Sequence, residues 1–351
     1  MTTETTFAEL VRWRRKLLGL TQTDLADRVG CSVVMIRKLE AGERRPSEEM
    51  AERLAGSLGV AAEDRSTFIQ SALGRVSGRG LFKRATNLPG QLTPLIGRER
   101  ETREIRHRLT HQDIRLLTLL GPAGIGKTRL ALHSAAELIN RYEDGVFFVG
   151  LAAARGAAAA VAAIGQTLGL AKGDEPDEWA LLEALRDKHM LLILDNFEQA
   201  IAARSLVATL LKECLWLSIL VTSQEQLRIR GEHLVRVPPL GLPEPGVTPA
   251  AEDAGAYDAL ALFADRAAAA NPDFALTAEN IAAVSAICRR LDALPLAIEL
   301  VAAHSAVLTP AALLQRLNRR LALLIDGPAD LPERHRTLRD AIAWGYELLQ
   351  P

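Results

Sequence analysis

The sequence is poor in aromatic residues, at 4%, and poor in cysteine, with three in 351 positions. Its cores must therefore be built from Leu, Ala, Val and Ile, for which a hydrophobic content of 48% is ample. Cys31, Cys214 and Cys288 are odd in number and far apart, which argues against a disulfide framework or close-spaced metal ligands. They read as small buried hydrophobes in a reducing compartment. The seven histidines follow no metal-ligand spacing, and no Ser-His-Asp order stands out. No apolar run reaches the roughly 18 residues needed to span a bilayer. The start, residues 1–9, is polar and acidic, unlike a secretory leader. These absences lead to the expectation of a soluble, cytoplasmic protein with no membrane partner.

Net charge is also nearly absent, at −1, but it is unevenly spread. Residues 1–84 hold 15 Lys/Arg against 11 Asp/Glu, so a mildly basic head precedes an acidic body. That asymmetry is compatible with a nucleic-acid contact confined to the head. The length predicts two or three domains. Residues 7–73 are short helical stretches separated by turn signals. Residues 74–94 (GRVSGRGLFKRATNLPGQLTP) have the composition of an exposed linker. Beyond them, apolar strands at 114–120, 145–151, 190–195, 218–223 and 233–237 alternate with helices, which predicts a parallel sheet covered on both faces. From residue 256 onward only helical periodicity remains. The Ala-rich stretches 152–163 and 261–270 read as close-packed helix.

The chemistry concentrates in Gly121-Pro122-Ala123-Gly124-Ile125-Gly126-Lys127-Thr128, a G-x-x-x-x-G-K-[ST] loop between a strand and a helix. Its glycines let backbone N–H groups wrap phosphate oxygens at a helix N-terminus. Gly121, Ala123, Gly124, Ile125, Gly126, Lys127, Thr128 and Arg129 are the candidate nucleotide contacts. Lys127 would reach the β- and γ-phosphates, and Thr128 would ligate Mg²⁺. Asp195, which ends the strand MLLILD, would be the second Mg²⁺ residue. The next residue is Asn196, whose amide cannot act as a general base. Glu198 is the candidate substitute, so slow hydrolysis is expected. Ser223 and Gln224, at the end of the fourth strand, are candidates for sensing the γ-phosphate.

The order of these motifs resembles the STAND class of P-loop ATPases, in the branch similar to NB-ARC and apoptotic ATPases. The resemblance covers residues 95–350. It is carried further by LIGRERE at 95–101, LLILDNFE at 191–198, LVTSQEQL at 220–227, GEH at 231–233 with VPPL at 237–240, and LDALPLA at 291–297. It implies ATP or ADP with Mg²⁺, a sheet of order 5-1-4-3-2, and a helical lid over residues 256–306. It places Ile96, Gly97 and Arg98 along the adenine by their backbone and packs Pro295 on its ring. Two departures stand out. The family usually has Arg where this chain has Gln224, and Gly where it has Ala293, a small-for-small change expected to be tolerated. RHRTLRDAIAWGYELL at 334–349 looks like the opening of the family's winged helix. The expectation is that the chain is a shortened form lacking the histidine that would read the β-phosphate of ADP, with a sensor region or a separate signal protein supplying the input.

Residues 7–73 resemble Cro/repressor-type (XRE) helix-turn-helix domains through LTQTDLA at 20–26, GCS at 30–32, IRKLE at 36–40 and RPS at 45–47. Leu25, Ala26 and Val29 share one helix face and Ile36 and Leu39 the next, Gly30 turns between them, and Ser32 can cap the second helix. That second helix would enter the major groove of double-stranded DNA. Arg37 is the candidate base reader, and Lys38, Arg44 and Arg45 the candidate phosphate contacts, joined by Thr21 and Gln22. Ser32, Val33 and Val34 lie on the leading edge, where the valines could meet thymine methyls. The run Arg12-Trp13-Arg14-Arg15-Lys16 reads as the solvated face of the first helix, and Arg319-Arg320 as surface.

The expected organisation is multidomain, all-α and α/β. A helix-turn-helix head occupies 1–73, a linker 74–94, a P-loop α/β domain 95–245, an all-α lid 246–330, and the start of a winged helix 331–351. The expected function is a nucleotide-dependent regulatory switch that forms homo-oligomers in its ATP state. The alternative is a signalling or defence scaffold whose head binds protein.

Overall fold

The computed structural model describes residues 6–60, 62–75, 85–111, 113–170 and 177–318. The winged-helix stretch at 334–349 and Arg319-Arg320 lie outside the described residues. The chain divides into two compact units. One comprises the chain up to Leu95 with Thr102–Leu119 and Thr128–Val235; the other comprises Ile96–Glu101, Leu120–Lys127 and the chain from Arg236 onward.

The first unit opens with five helices: α1 (Phe7–Leu17), α2 (Gln22–Val29), α3 (Val33–Glu40), α4 (Glu48–Ser57) and α5 (Ala62–Ala72). Their starts are set by side chains that satisfy orphan amides. Thr6 with Glu9 and Thr21 with Asp24 form capping boxes, and Ser32 and Ser47 accept from Met35 N and Met50 N. Each such cap contributes about 1 kcal/mol. Gly30 ends α2 at φ 68°, in the left-handed region that glycine enters without a Cβ penalty. Leu25, Ala26, Val29, Ile36 and Leu39 are all buried, as the periodicity predicts, and Phe7 meets Phe68 edge-on at 5.2 Å between centroids.

The basic run of α1 is solvated only in part: Arg12 and Lys16 are exposed, but Arg14 and Arg15 are 4% and 9% exposed. Arg15 pairs with Glu40 and donates from Nη1 to Leu20 O at 2.8 Å. Burial pushes the Glu40 carboxyl up. Hydrogen bonds from Arg15 and Gln22, and the charges of Arg15 and Arg12, outweigh that and hold it below its ordinary range. Composition could not reveal this, because an arginine that finds acceptors inside is indistinguishable in sequence from one facing water.

The sheet holds β1 (Leu116–Leu120), β2 (Gly145–Gly150), β3 (Met190–Asp195), β4 (Leu217–Ser223) and β5 (Glu232–Arg236) in the order β2-β3-β4-β1-β5. This is the parallel 5-1-4-3-2 order that the resemblance implies, and every residue of β1 and β3 is buried. Between the strands run α6 (Glu99–Thr110, ahead of β1), α7 (Lys127–Glu137), α8 (Ala157–Thr167), α9 (Glu178–Leu185) and α10 (Arg204–Glu213). Residues of α8, α9 and α10 share one apolar cluster with β3 and β4.

Part of the stretch expected to be an exposed linker is bonded to the body. Ala85 O accepts from Val146 N at 3.1 Å, Thr86 bridges to Val146, and Asn87 exchanges two side-chain bonds with the Phe148 backbone, at 2.8 and 2.7 Å. The cause is the position of β2 at the edge of the sheet, where backbone groups need partners. Residues 76–84 of that stretch lie outside the described residues.

In the second unit α11 (Asp258–Ala270), α12 (Ile281–Arg290), α13 (Pro295–Ala303) and α14 (Pro310–Asn318) pack around Leu260, Phe263, Ile287 and Ile298.

Candidate functional site

The second unit contains the phosphate loop. Lys127 is buried, and its Nζ donates to Gly121 O at 2.7 Å and Pro122 O at 3.0 Å, so the ammonium sits over the carbonyls of its own loop. Arg98 is 3% exposed and donates from Nη1 to Pro238 O at 2.8 Å and from Nη2 to Ile125 O at 3.1 Å. It thereby fastens the loop to the chain leaving β5. Burial lowers its pKa, against the charges of Glu101, Asp258 and Glu99. Gly97, at φ 66°, lies so close to Asp258 that a Cβ would fall 2.2 Å from Asp258 Cγ, which no other residue could satisfy without displacing that side chain. Leu296 N donates to Gly124 O at 3.1 Å, and Pro295 opens α13 beside Gly126. Ile96 packs against the apolar cluster of this unit. Arg98, through its guanidinium, and Pro295 therefore meet the loop, while Gly97 lies against Asp258.

Ala293 has φ 50°. A left-handed backbone costs an alanine about 1–2 kcal/mol, which gives a physical reason for glycine at this point of the motif.

The first unit contains Asp195 and its partners. Thr128 Oγ1 donates to Asp195 Oδ1 at 2.6 Å. Thr222 Oγ1 donates to the same oxygen at 2.6 Å and accepts from Asn196 N at 3.0 Å. Thr222 is fully buried. Its role escaped sequence reading, which passed over it for Ser223 and Gln224. The signal lay in the register: Leu194 pairs with Val221, which sets Asp195 beside Thr222. Asn196 adopts φ 58° and ψ 45°, a left-handed conformation that asparagine tolerates better than most residues. Asparagine thus meets a backbone requirement directly after the strand-ending Asp195.

Glu198 is 6% exposed. Its Oε1 accepts from Gln224 Nε2 at 3.2 Å, and its buried Oε2 has no hydrogen-bond partner among the described residues. The two candidates for water activation and phosphate sensing are thus bonded to each other. Ser223 Oγ accepts from Glu225 N at 3.2 Å and serves its own turn. Arg129 Nη2 donates to Thr93 O, Thr93 Oγ1 and Pro94 O at 3.0, 2.8 and 2.9 Å, gripping the segment that precedes Ile96.

On the head, Ser32, Arg37 and Lys38 are exposed, Val34 is 56% exposed, and Val33 is half-buried. Arg37 Nε donates to Gln22 Oε1 at 3.3 Å, while Gln22 Nε2 donates to Glu40 Oε2 at 2.8 Å, so the outward arginine is braced from behind. The Thr21 hydroxyl is engaged in its capping box. Arg44 is exposed, and Arg45 Nη1 reaches Leu73 O at 3.3 Å.

Comparison with known proteins finds a match for the head and another for part of the body. A helix-turn-helix family profile (HTH_3) matches residues 11–64, and a profile for the NB-ARC domain matches residues 98–228. An uncharacterized protein of Mycobacterium tuberculosis is 36% identical over 262 residues, which are 74% of this chain and 62% of that one. A second M. tuberculosis protein, described only as a candidate HTH-type transcriptional regulator, is 38% identical over 242 residues, or 67% of this chain and 25% of the relative. An uncharacterized HTH-type transcriptional regulator of Methanothermobacter thermautotrophicus is 50% identical over 50 residues, 14% of this chain and 72% of its own. The chain thus spans about three fifths of the first relative and a quarter of the second.

Proposed function

We propose that this chain, which joins a helix-turn-helix domain to an NB-ARC domain, is a nucleotide-dependent regulator whose head binds double-stranded DNA. The observation that carries the nucleotide reading is the Thr128–Asp195 contact at 2.6 Å, directly after the glycine loop in sequence. A threonine hydroxyl and a carboxylate side by side are hard oxygen donors of the kind Mg²⁺ takes. Thr128 and Asp195 would hold the ion, and Thr222 fixes the orientation of the aspartate. When bound with ATP or ADP, Mg²⁺ neutralises charge on the phosphate oxygens. Lys127 would leave its carbonyl acceptors for those oxygens. Ile96, Gly97, Arg98 and Pro295 would border the base.

Hydrolysis is proposed to be slow at most. The Asn196 amide cannot take a proton from water, and Glu198, the remaining carboxylate, is bonded to Gln224. Occupancy rather than turnover is then the signal. Arg37 would read a base edge, and Lys38, Arg44 and Arg45 would meet phosphates. A single such head binds weakly, so assembly of ATP-bound copies would supply the missing affinity through multivalency. The input would come from a sensor region or a separate signal protein, and the setting would be the cytoplasm. Among the described residues no helix is long and apolar enough to cross a membrane.

Calorimetry with ADP, with a non-hydrolysable ATP analogue, and with and without Mg²⁺ tests the nucleotide half. Lys127→Ala should weaken binding by roughly 10- to 100-fold, the scale of one charge-assisted contact. Equal affinity in wild type and variant would refute the assignment. A gel shift across a salt series tests the head: phosphate contacts give a steep slope, whereas no DNA binding at any salt would favour a head that docks protein.

A further inference from the structure

The first helix of the head meets, in a buried polar contact, the segment just past the helix that follows the phosphate loop. Arg14 Nη1 donates to Leu58 O at 2.9 Å and Gly59 O at 3.1 Å, tying α1 to the end of α4. Its Nη2 leaves the head and donates to Asn140 Oδ1 at 2.7 Å, three residues beyond the end of α7. Asn140 is 6% exposed. Burial draws the Arg14 pKa down to about 10, against the charge of Asp64, so the cation depends on these acceptors.

Other contacts continue the seam. Gln91 N donates to Lys16 O at 2.9 Å. Gly19 comes so near the same segment that a Cβ would lie 2.8 Å from both Gln91 Cβ and Thr93 O. Arg129, in the first turn of α7, holds Thr93 and Pro94. His133, one turn on, faces the Leu18 backbone and the charge of Arg28. From its first turn to just past its end, α7 is therefore in touch with the head or with the segment that braces it. The face expected to meet DNA takes no part: Val34, Arg37 and Lys38 stay exposed.

We infer that the head is mounted on the phosphate-loop helix, and that α7 carries the occupancy of the loop to the head through the Asn140–Arg14 contact. Lys127 and Thr128 are the first residues of α7, so any shift they make on binding phosphate moves a helix followed, three residues past its end, by the asparagine bonded to α1. A densely packed seam passes such a shift on rather than absorbing it. Because α3 is left uncovered, the device sets how the head is held and does not mask it. This inference rests on the nucleotide reading above.

The test uses the full chain, with hydrogen exchange followed at the amides of Leu18, Gly19 and Leu20, which are all bonded back to α1. Mg²⁺-ADP should change their exchange by about fivefold or more, the low end of ordinary coupling between sites. Asn140→Ala removes the acceptor without touching the Arg14 bonds inside the head. It should bind ADP as the wild type does and lose most of that change. Asn140→Asp offers a carboxylate to the same guanidinium and should restore it, which also distinguishes lost coupling from general damage. The inference is overturned if Asn140→Ala keeps the full ADP response, if Asn140→Asp fails to recover a lost one, or if bound ADP leaves these amides unchanged in the wild type. Failure of ADP to bind at all would instead overturn the nucleotide reading and take this inference with it.

Discussion

The two ends of α7 differ in how they are built. At its start, Lys127 and Thr128 complete the glycine-loop motif, and Thr128 meets Asp195 at 2.6 Å. Past its end, Asn140 receives Arg14 from a helix 126 positions earlier in the chain. The first end belongs to a contiguous motif and is written locally in the sequence. The second is dictated by packing between distant segments and is written nowhere locally. One helix thus joins a site fixed by a motif to a seam fixed by the fold.

Acidification should separate the two ends with the largest effect. Burial, with the charges of Arg28 and Arg129, lowers the His133 pKa to about 4, against a bond to the Leu18 backbone. The unfolded chain would therefore bind a proton near pH 6.5 that the folded chain refuses until about pH 4. Stability is lost as pH falls through that window, by at most roughly 3 kcal/mol for the full shift. Glu137 works in the opposite direction: burial raises its carboxyl, with Arg106 and Arg28 opposing, so it favours the folded state slightly on acidification. Chemical denaturation at pH 7 and pH 5 should show a lower midpoint at pH 5, and His133→Asn should flatten the difference. An unchanged slope in the variant would remove His133 from the seam's energetics.

Thr222→Val probes the other end. The shape is kept, but Asp195 loses a donor and Asn196 N–H loses its acceptor, both in a buried setting. A stability loss of about 2 kcal/mol is expected, together with weaker Mg²⁺ dependence of nucleotide binding. Loss of stability with Mg²⁺ dependence intact would reduce Thr222 to a packing residue. The smallest effect is a gain. Ala293→Gly relieves a left-handed alanine at φ 50° and should raise stability by about 1 kcal/mol. A destabilised variant would show that the added chain entropy outweighs the strain.

The same contrast explains what could be read in advance. The five strands, their order and the cap at Ser32 were legible because each rests on short-range pattern or on the resemblance, whereas Thr21, read as a phosphate contact, has its hydroxyl engaged in a capping box. Thr222 was legible only through strand register, since its partner Asp195 lies 27 positions away. The left-handed backbone at Asn196 and Ala293 was invisible, although it gives the residue choice at both positions its reason. Arg14 and Arg15 were misread because a charged run on a helix is usually solvated, and only the fold reveals the carbonyls of Leu58, Gly59 and Leu20 that take them inside. The bonding of residues 85–87 along β2 was likewise hidden behind a linker-like composition.

The central claim is that nucleotide state at the loop governs how the head meets DNA. It is tested most directly by selecting a DNA site from random sequence, then measuring affinity for it across a salt series with Mg²⁺-ADP and with a non-hydrolysable ATP analogue, while following molecular mass. Tighter binding and a larger assembly with the ATP analogue, both abolished by Lys127→Ala, are the predicted result. The same affinity and the same mass in both nucleotide states would contradict it.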